Sequence, residues 1–147
     1  MSGRMRLGHV APEGYQALIG LDKYVQANVD DQLLNLVRLR ASVLNGCTYC
    51  VDLHSHDLLK AGESTQRVMG VAVWREFPFL SSRERAALML TDAATRLGEG
   101  GVPDEVWAGV EQAFTEKEIA DLILAIGTIN LWNRIGVSTG MQPSLRK

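Results

Sequence analysis

Two cysteines three residues apart, Cys47 and Cys50, and a histidine four residues beyond the second, His54, are the side chains of this sequence best suited to chemistry. A thiolate is a strong nucleophile, and a cysteine pair can cycle between dithiol and disulfide. An imidazole can take up the thiol proton near neutral pH. In a helix turning about 100° per residue, Cys47 at 0° puts Cys50 near 300° and His54 near 340°, an arc of about 60°. On the same wheel Asp57 falls near 280°, where it could orient the imidazole, whereas His56 falls near 180° on the opposite face. Gly46 should end the preceding helix, which leaves both cysteines in the first turn of the next. Unpaired N–H groups and the positive end of the helix dipole favour an anion there. A thiol in that position should ionise below the ~8.5 of free cysteine. Once one sulfur is oxidised, the other can close a disulfide and so prevent over-oxidation.

Two further readings stay open at this level. The cysteines can be small buried hydrophobes, or Cys47, Cys50 and His54 can be zinc ligands. Structural zinc takes four ligands, there is no second Cys-x-x-Cys, and His56 points away, so the expectation is no metal.

The elements that must position these residues read as helix after helix. Pro12-Glu13 opens the first, and Asp30-Asp31 opens a second that stops at Asn45-Gly46. The cysteine helix runs from about Cys47 to Ala61. Ser64-Thr65 begins a fourth helix, ending near Trp74. Ser81-Ser-Arg-Glu84 and Thr115-Glu-Lys-Glu118 are capping-box patterns that open a fifth helix and a long last one. Between them Gly98-Glu-Gly-Gly101 reads as a loop, and Pro103-Asp-Glu opens a short sixth helix. The last helix should reach about Gly136, and the tail after Val137 should fray. No segment alternates long enough for a strand. The fold class is therefore all-α, one domain over residues 1–147. In the last helix Ile119, Leu122, Ile123, Ile126, Ile129, Leu131 and Trp132 occupy several faces, which suits a central helix or one pressed between subunits. Trp74, Trp107 and Trp132 read as core or interface residues. His9, Ser42 and Ser55 have no visible catalytic partner.

At 147 residues, 46% hydrophobic, 22% charged and a net charge of −2, the composition fits a globular domain. Its weak charge excludes a strong field for nucleic acid or an anionic membrane. No apolar run approaches the roughly 20 residues of a membrane span. Met1-Ser-Gly-Arg4 lacks the apolar stretch of a secretion signal. The expected compartment is the cytoplasm, where a close cysteine pair is a redox pair or half of a metal site.

The run from Leu36 to His54, Leu-Val-Arg-Leu-Arg-Ala-Ser-Val-Leu-Asn-Gly-Cys-Thr-Tyr-Cys-Val-Asp-Leu-His, resembles the core motif of the alkyl hydroperoxidase D (AhpD)-like proteins of the carboxymuconolactone decarboxylase superfamily. Lys60-Ala-Gly-Glu63, Trp74-Arg-Glu76, Arg83-Glu-Arg-Ala-Ala87 and Ile129-Asn-Leu-Trp-Asn-Arg134 extend the likeness over roughly residues 34–134. The resemblance implies an all-α fold, a homo-oligomer (a trimer or a hexamer), and a thiol peroxidase without bound metal, haem or flavin. It implies that Cys50 attacks a hydroperoxide, that Cys47 resolves the sulfenic acid to a disulfide, and that His54 serves a proton relay. A lipoyl-bearing protein or another dithiol would return the electrons. The family pattern carries a glutamate twelve residues before the first cysteine. This sequence has Asn35 there, which cannot take up a proton. Asp57 and Glu84 are the candidate substitutes. The rival functions are a lyase acting on a carboxylated lactone, whose relatives generally lack the cysteine pair, and a non-catalytic redox-sensing or zinc-binding module.

Overall fold

Side chains that satisfy the free N–H groups of a first turn set where most of these helices begin. In the computed structural model, which describes residues 3–147, Asp30 accepts a hydrogen bond from the Leu33 amide and Ser64 from the Arg67 amide. Both expected capping boxes form in full, Ser81 with Glu84 and Thr115 with Glu118. The described residues form α1 (Leu7–Val10), α2 (Pro12–Asn28), α3 (Asp31–Asn45), α4 (Thr48–Lys60), α5 (Thr65–Gly70), α6 (Ser82–Thr95), α7 (Asp104–Ala113) and α8 (Glu116–Thr139). No strand occurs among them. The all-α expectation holds, and none of these helices is long and apolar enough to cross a membrane.

α3 is the central element and packs against α4, α6 and α8. Its apolar residues serve two clusters. Leu34 and Val37 join Val25, Leu90, Val110, Leu122 and Ile126. Leu36 and Leu39 join Leu58, Val71, Trp74 and Leu88. Burying a leucine or valine stabilises the fold by about 1.5–3 kcal/mol, so a helix lined on two faces is held firmly in place. Between α3 and α6 the Arg40 guanidinium grips Asp92 through two hydrogen bonds, 2.6 and 3.1 Å, and donates a third to the Ala72 carbonyl. Trp74 also donates to Asp92. Removing Arg40 leaves the Asp92 carboxylate only the Trp74 indole and, at 3.4 Å, the exposed Arg75 guanidinium. Arg40→Leu should lower unfolding free energy by about 3 kcal/mol, read as a fall in the urea midpoint at unchanged slope.

Three details differ from the sequence reading. The short α1 carries no strong sequence signal. The expected fourth helix ends at Gly70 and tightens into a 3₁₀ turn, Val71–Val73. A Cβ on Gly70 would lie 2.6 Å from the Phe77 ring, so the glycine lets the following loop fold back against it. α8 continues to Thr139, and the tail does not simply fray. Gly140 takes the left-handed conformation at φ 72°, the Met141 amide bonds the Gly136 carbonyl, and Arg146 pairs with Asp52 on α4 at 2.6 Å. α8 itself is apolar on two sides. Ile119, Leu122, Ile126 and Ile129 are buried, while Ile123, Leu124 and Leu131 are exposed.

Candidate active site

The break between α3 and α4 places the sulfurs. Gly46 at φ 66° reverses the chain, and the Cys47 amide then bonds the Ser42 carbonyl at 3.0 Å. Cys47 is thus the residue that caps α4. It precedes the first turn, where the helical spacing had placed it. Its Sγ accepts a hydrogen bond from the Cys50 amide at 3.3 Å. The two cysteines form a disulfide with their Cα atoms 5.3 Å apart, and both are buried. α8 closes over them at Gly136, where an added Cβ would sit 2.9 Å from the Cys47 sulfur. A polar lattice fixes that approach. Asn45 donates to Asn130 and Asn133, and Asn133 donates to Ser42.

Cys50 and His54 open onto a cleft of about 640 Å³ walled by α2, α3, α4 and α8. The His54 ring is buried at 7% exposure, and its Nδ1 has no hydrogen-bond partner. The Asp57 carboxylate lies 3.8 Å from Nδ1, too far for a direct hydrogen bond. Burial, reinforced by the Arg38 guanidinium and opposed by the Asp22 carboxylate, lowers the His54 pKa to about 4. The imidazole is therefore neutral across the physiological range. Asn35 lines the same cleft, and its Oδ1 is a buried acceptor with no donor.

The geometry gathers Cys47, Cys50, His54, Asp57 and Asn35 at one place. Glu84 is elsewhere. Burial disfavours its charge, but the Arg67 guanidinium and the Ser81 cap outweigh that and hold its carboxyl below the usual range. It does not line the cleft. His56 does not line it either. Sequence reasoning missed Asp22, Arg38 and Trp132. Asp22 pairs with Arg38 at 2.8 Å and accepts a hydrogen bond from the Trp132 indole at 3.3 Å, all three on the cleft wall. Trp132 in turn packs edge-on against Tyr15. Among the described residues no group of three or more His, Cys, Asp or Glu side chains is arranged to hold a metal ion.

Burying a neutral histidine ties stability to pH. Between the unfolded pKa of 6.5 and the folded value of about 4, the unfolded chain binds a proton that the folded chain does not. Stability contributed by this site is complete above pH 6.5 and declines as pH falls towards 4, by about 3 kcal/mol in all. Urea titrations at pH 7 and pH 4.5 should show this loss, and His54→Gln should flatten much of the difference.

A profile of the carboxymuconolactone decarboxylase family matches residues 12–93, which run from the start of α2 through the cysteine helix into α6. The chain is 37% identical over 141 residues to the uncharacterized protein YdfG of Bacillus subtilis, covering 95% of this chain and 96% of that one. A crystal structure of an Agrobacterium tumefaciens protein of unknown function, provisionally described as the antioxidant defence protein AhpD, superposes with a TM-score of 0.94 at 36% identity, over 98% of this chain and 99% of the other. A peroxidase-related protein from Ralstonia eutropha, titled an alkylhydroperoxidase AhpD core, shares the fold at a TM-score of 0.82 and 21% identity, over 94% of this chain and 74% of that one. With the cysteine pair seated at the head of α4, the chain belongs to the AhpD-like branch of the carboxymuconolactone decarboxylase family.

Proposed function

We propose that this protein is a thiol-dependent peroxidase that reduces hydroperoxides through Cys50 and Cys47. The observation that carries the reading is that Cys50, bonded to the second sulfur, lines one open cleft together with a buried, neutral imidazole. In the reduced protein the neutral His54 acts as general base, drawing the Cys50 proton away as the sulfur attacks the outer peroxide oxygen; the O–O bond breaks, and the proton passes to the departing alkoxide. Cys50 is left as a sulfenic acid. Cys47 displaces its oxygen as water and forms the disulfide. Asn35 replaces the family's glutamate with an acceptor. A small dithiol, free or protein-borne, returns two electrons. The exposed apolar face of α8, Ile123, Leu124 and Leu131, supports assembly as a homo-oligomer.

The test is peroxide consumption by reduced protein with a dithiol donor. Turnover well above that of Cys50→Ser is expected, and equal rates would end this reading. Asp57→Asn should slow the reaction by less than about tenfold, because its carboxylate lies 3.8 Å from the imidazole and makes no hydrogen bond to it. Glu84→Gln should stay within about twofold, because its carboxylate serves Arg67 and a helix cap.

A further inference from the structure

The cleft at Cys50 adjoins a second cavity. Tyr15, Trp132 and Met141 line the cleft and also line a neighbouring space of about 490 Å³, so these three side chains form the saddle between the two. The indole of Trp132 is held there by Asp22 and by its edge-on contact with Tyr15. Gly8 lets the backbone of α1 lie against the Tyr15 ring, where an added Cβ would stand 3.2 Å from the nearest carbon. The start of the chain walls the second cavity and is anchored by Arg4, whose amide bonds the Thr139 carbonyl and whose guanidinium donates to the Ser138 carbonyl. The two spaces differ in character. Asp22, Asp31 and Asp57 line the cleft. No Asp or Glu lines the second cavity, whose walls include the apolar Met5, Leu7 and Ile135 and the cation Arg6.

Resting on the peroxidase reading above, we propose that the second cavity is a tail subsite and that the substrates are long-chain fatty-acid hydroperoxides. The peroxide group sits at Cys50, the aliphatic arm crosses the saddle, and the carboxylate ends at Arg6. Hydrogen peroxide uses none of this space, whereas each cavity has the size of a site for an organic ligand. The charges set the direction of binding: the three aspartates repel a carboxylate from the cleft, and the arginine accepts it in the next space. Each methylene buried along the way favours the complex about fourfold. The Cys50 sulfur bonds to the outer peroxide oxygen, the O–O bond breaks, and the fatty alcohol leaves with the thiol proton. Cys47 then displaces water from the sulfenic acid. One hydroperoxide and two thiols have become one alcohol, one water and the disulfide.

Binding is measured first on the disulfide form, in which no peroxide chemistry occurs, so failure of the peroxidase reading does not affect it. Calorimetric titration should show ricinoleate, a long-chain hydroxy acid like the product, bound at least a hundredfold more tightly than hydroxybutyrate. Ile135→Trp, which fills the second cavity from α8, should weaken ricinoleate tenfold or more. Arg6→Glu, an exposed change that spares the fold, should weaken ricinoleate about tenfold and its methyl ester less than twofold. Equal affinity for the long and short acids, or unchanged ricinoleate binding in both variants, would overturn the proposal. With reduced protein and a dithiol donor, kcat/KM for linoleate hydroperoxide should exceed that for tert-butyl hydroperoxide about a hundredfold. Arg6→Glu should narrow that ratio while leaving the rate with tert-butyl hydroperoxide within twofold. Equal kcat/KM for the two peroxides in the wild type would overturn the proposal, and no turnover of either would end the peroxidase reading on which its substrate assignment rests.

Discussion

Cys50→Ser is expected to consume peroxide no faster than the dithiol alone, a loss of at least about a thousandfold. Serine keeps the shape of the side chain but is barely ionised at neutral pH, and neither His54 nor the helix end can make up that difference. Cys47→Ser should behave otherwise. Its Cys50 still faces the cleft and His54, so it should consume one equivalent of peroxide and then stall. Dimedone should label the stalled protein at Cys50. The pair of variants separates the readings of this fold. A lyase acting on a lactone would keep its activity in both. A protein in which Cys50→Ser completes the single turnover and Cys47→Ser is inert would have the two sulfurs in exchanged roles. The measurement is a stopped-flow trace of peroxide loss at known thiol stoichiometry.

The second large effect belongs to His54→Ala, which should lower the rate of peroxide reduction by about 10²–10⁴, the range for loss of a positioned acid–base group. The pH dependence should distinguish this from a packing effect. In the wild type, His54 is already neutral above about pH 4, so the acid limb should reflect the thiol and show no step near 6.5. Exogenous imidazole should restore part of the rate to His54→Ala, whose vacated ring site adjoins the cleft. An inflection near 6.5 in the wild type would mean that the ring is more solvated than its burial implies.

What the sequence disclosed and what it withheld follow one physical line. Local signals were legible because their chemistry is satisfied within a few residues. Gly46 stops α3, Asp30 caps it, and the two capping boxes form as spaced. The arc shared by Cys47, Cys50 and His54 was equally local. The cleft's other walls were not. Asp22 meets Arg38 across 16 positions and Trp132 across 110, and outside the cleft the tail's Arg146 meets Asp52 across 94. Such pairs depend on how helices dock, which periodicity leaves open. Glu84 shows the opposite error. An acid on a neighbouring helix looked available to the histidine, yet its own capping box and Arg67 had already engaged it. Gly136 read as the end of α8, because a glycine in a helix interior is costly. Its use there is to bring the helix close to two sulfur atoms.

The bond between Cys47 and Cys50 spans only three positions. By the loop-entropy relation, closing so small a ring restrains the unfolded chain by only about 2 kcal/mol, against nearly 5 for a loop of 100 residues. The helices around it are assembled by their cores and caps, with or without the link. Oxidation and reduction therefore act on a finished scaffold. The cysteine pair can pass between dithiol and disulfide repeatedly without the architecture being made or unmade at each turn.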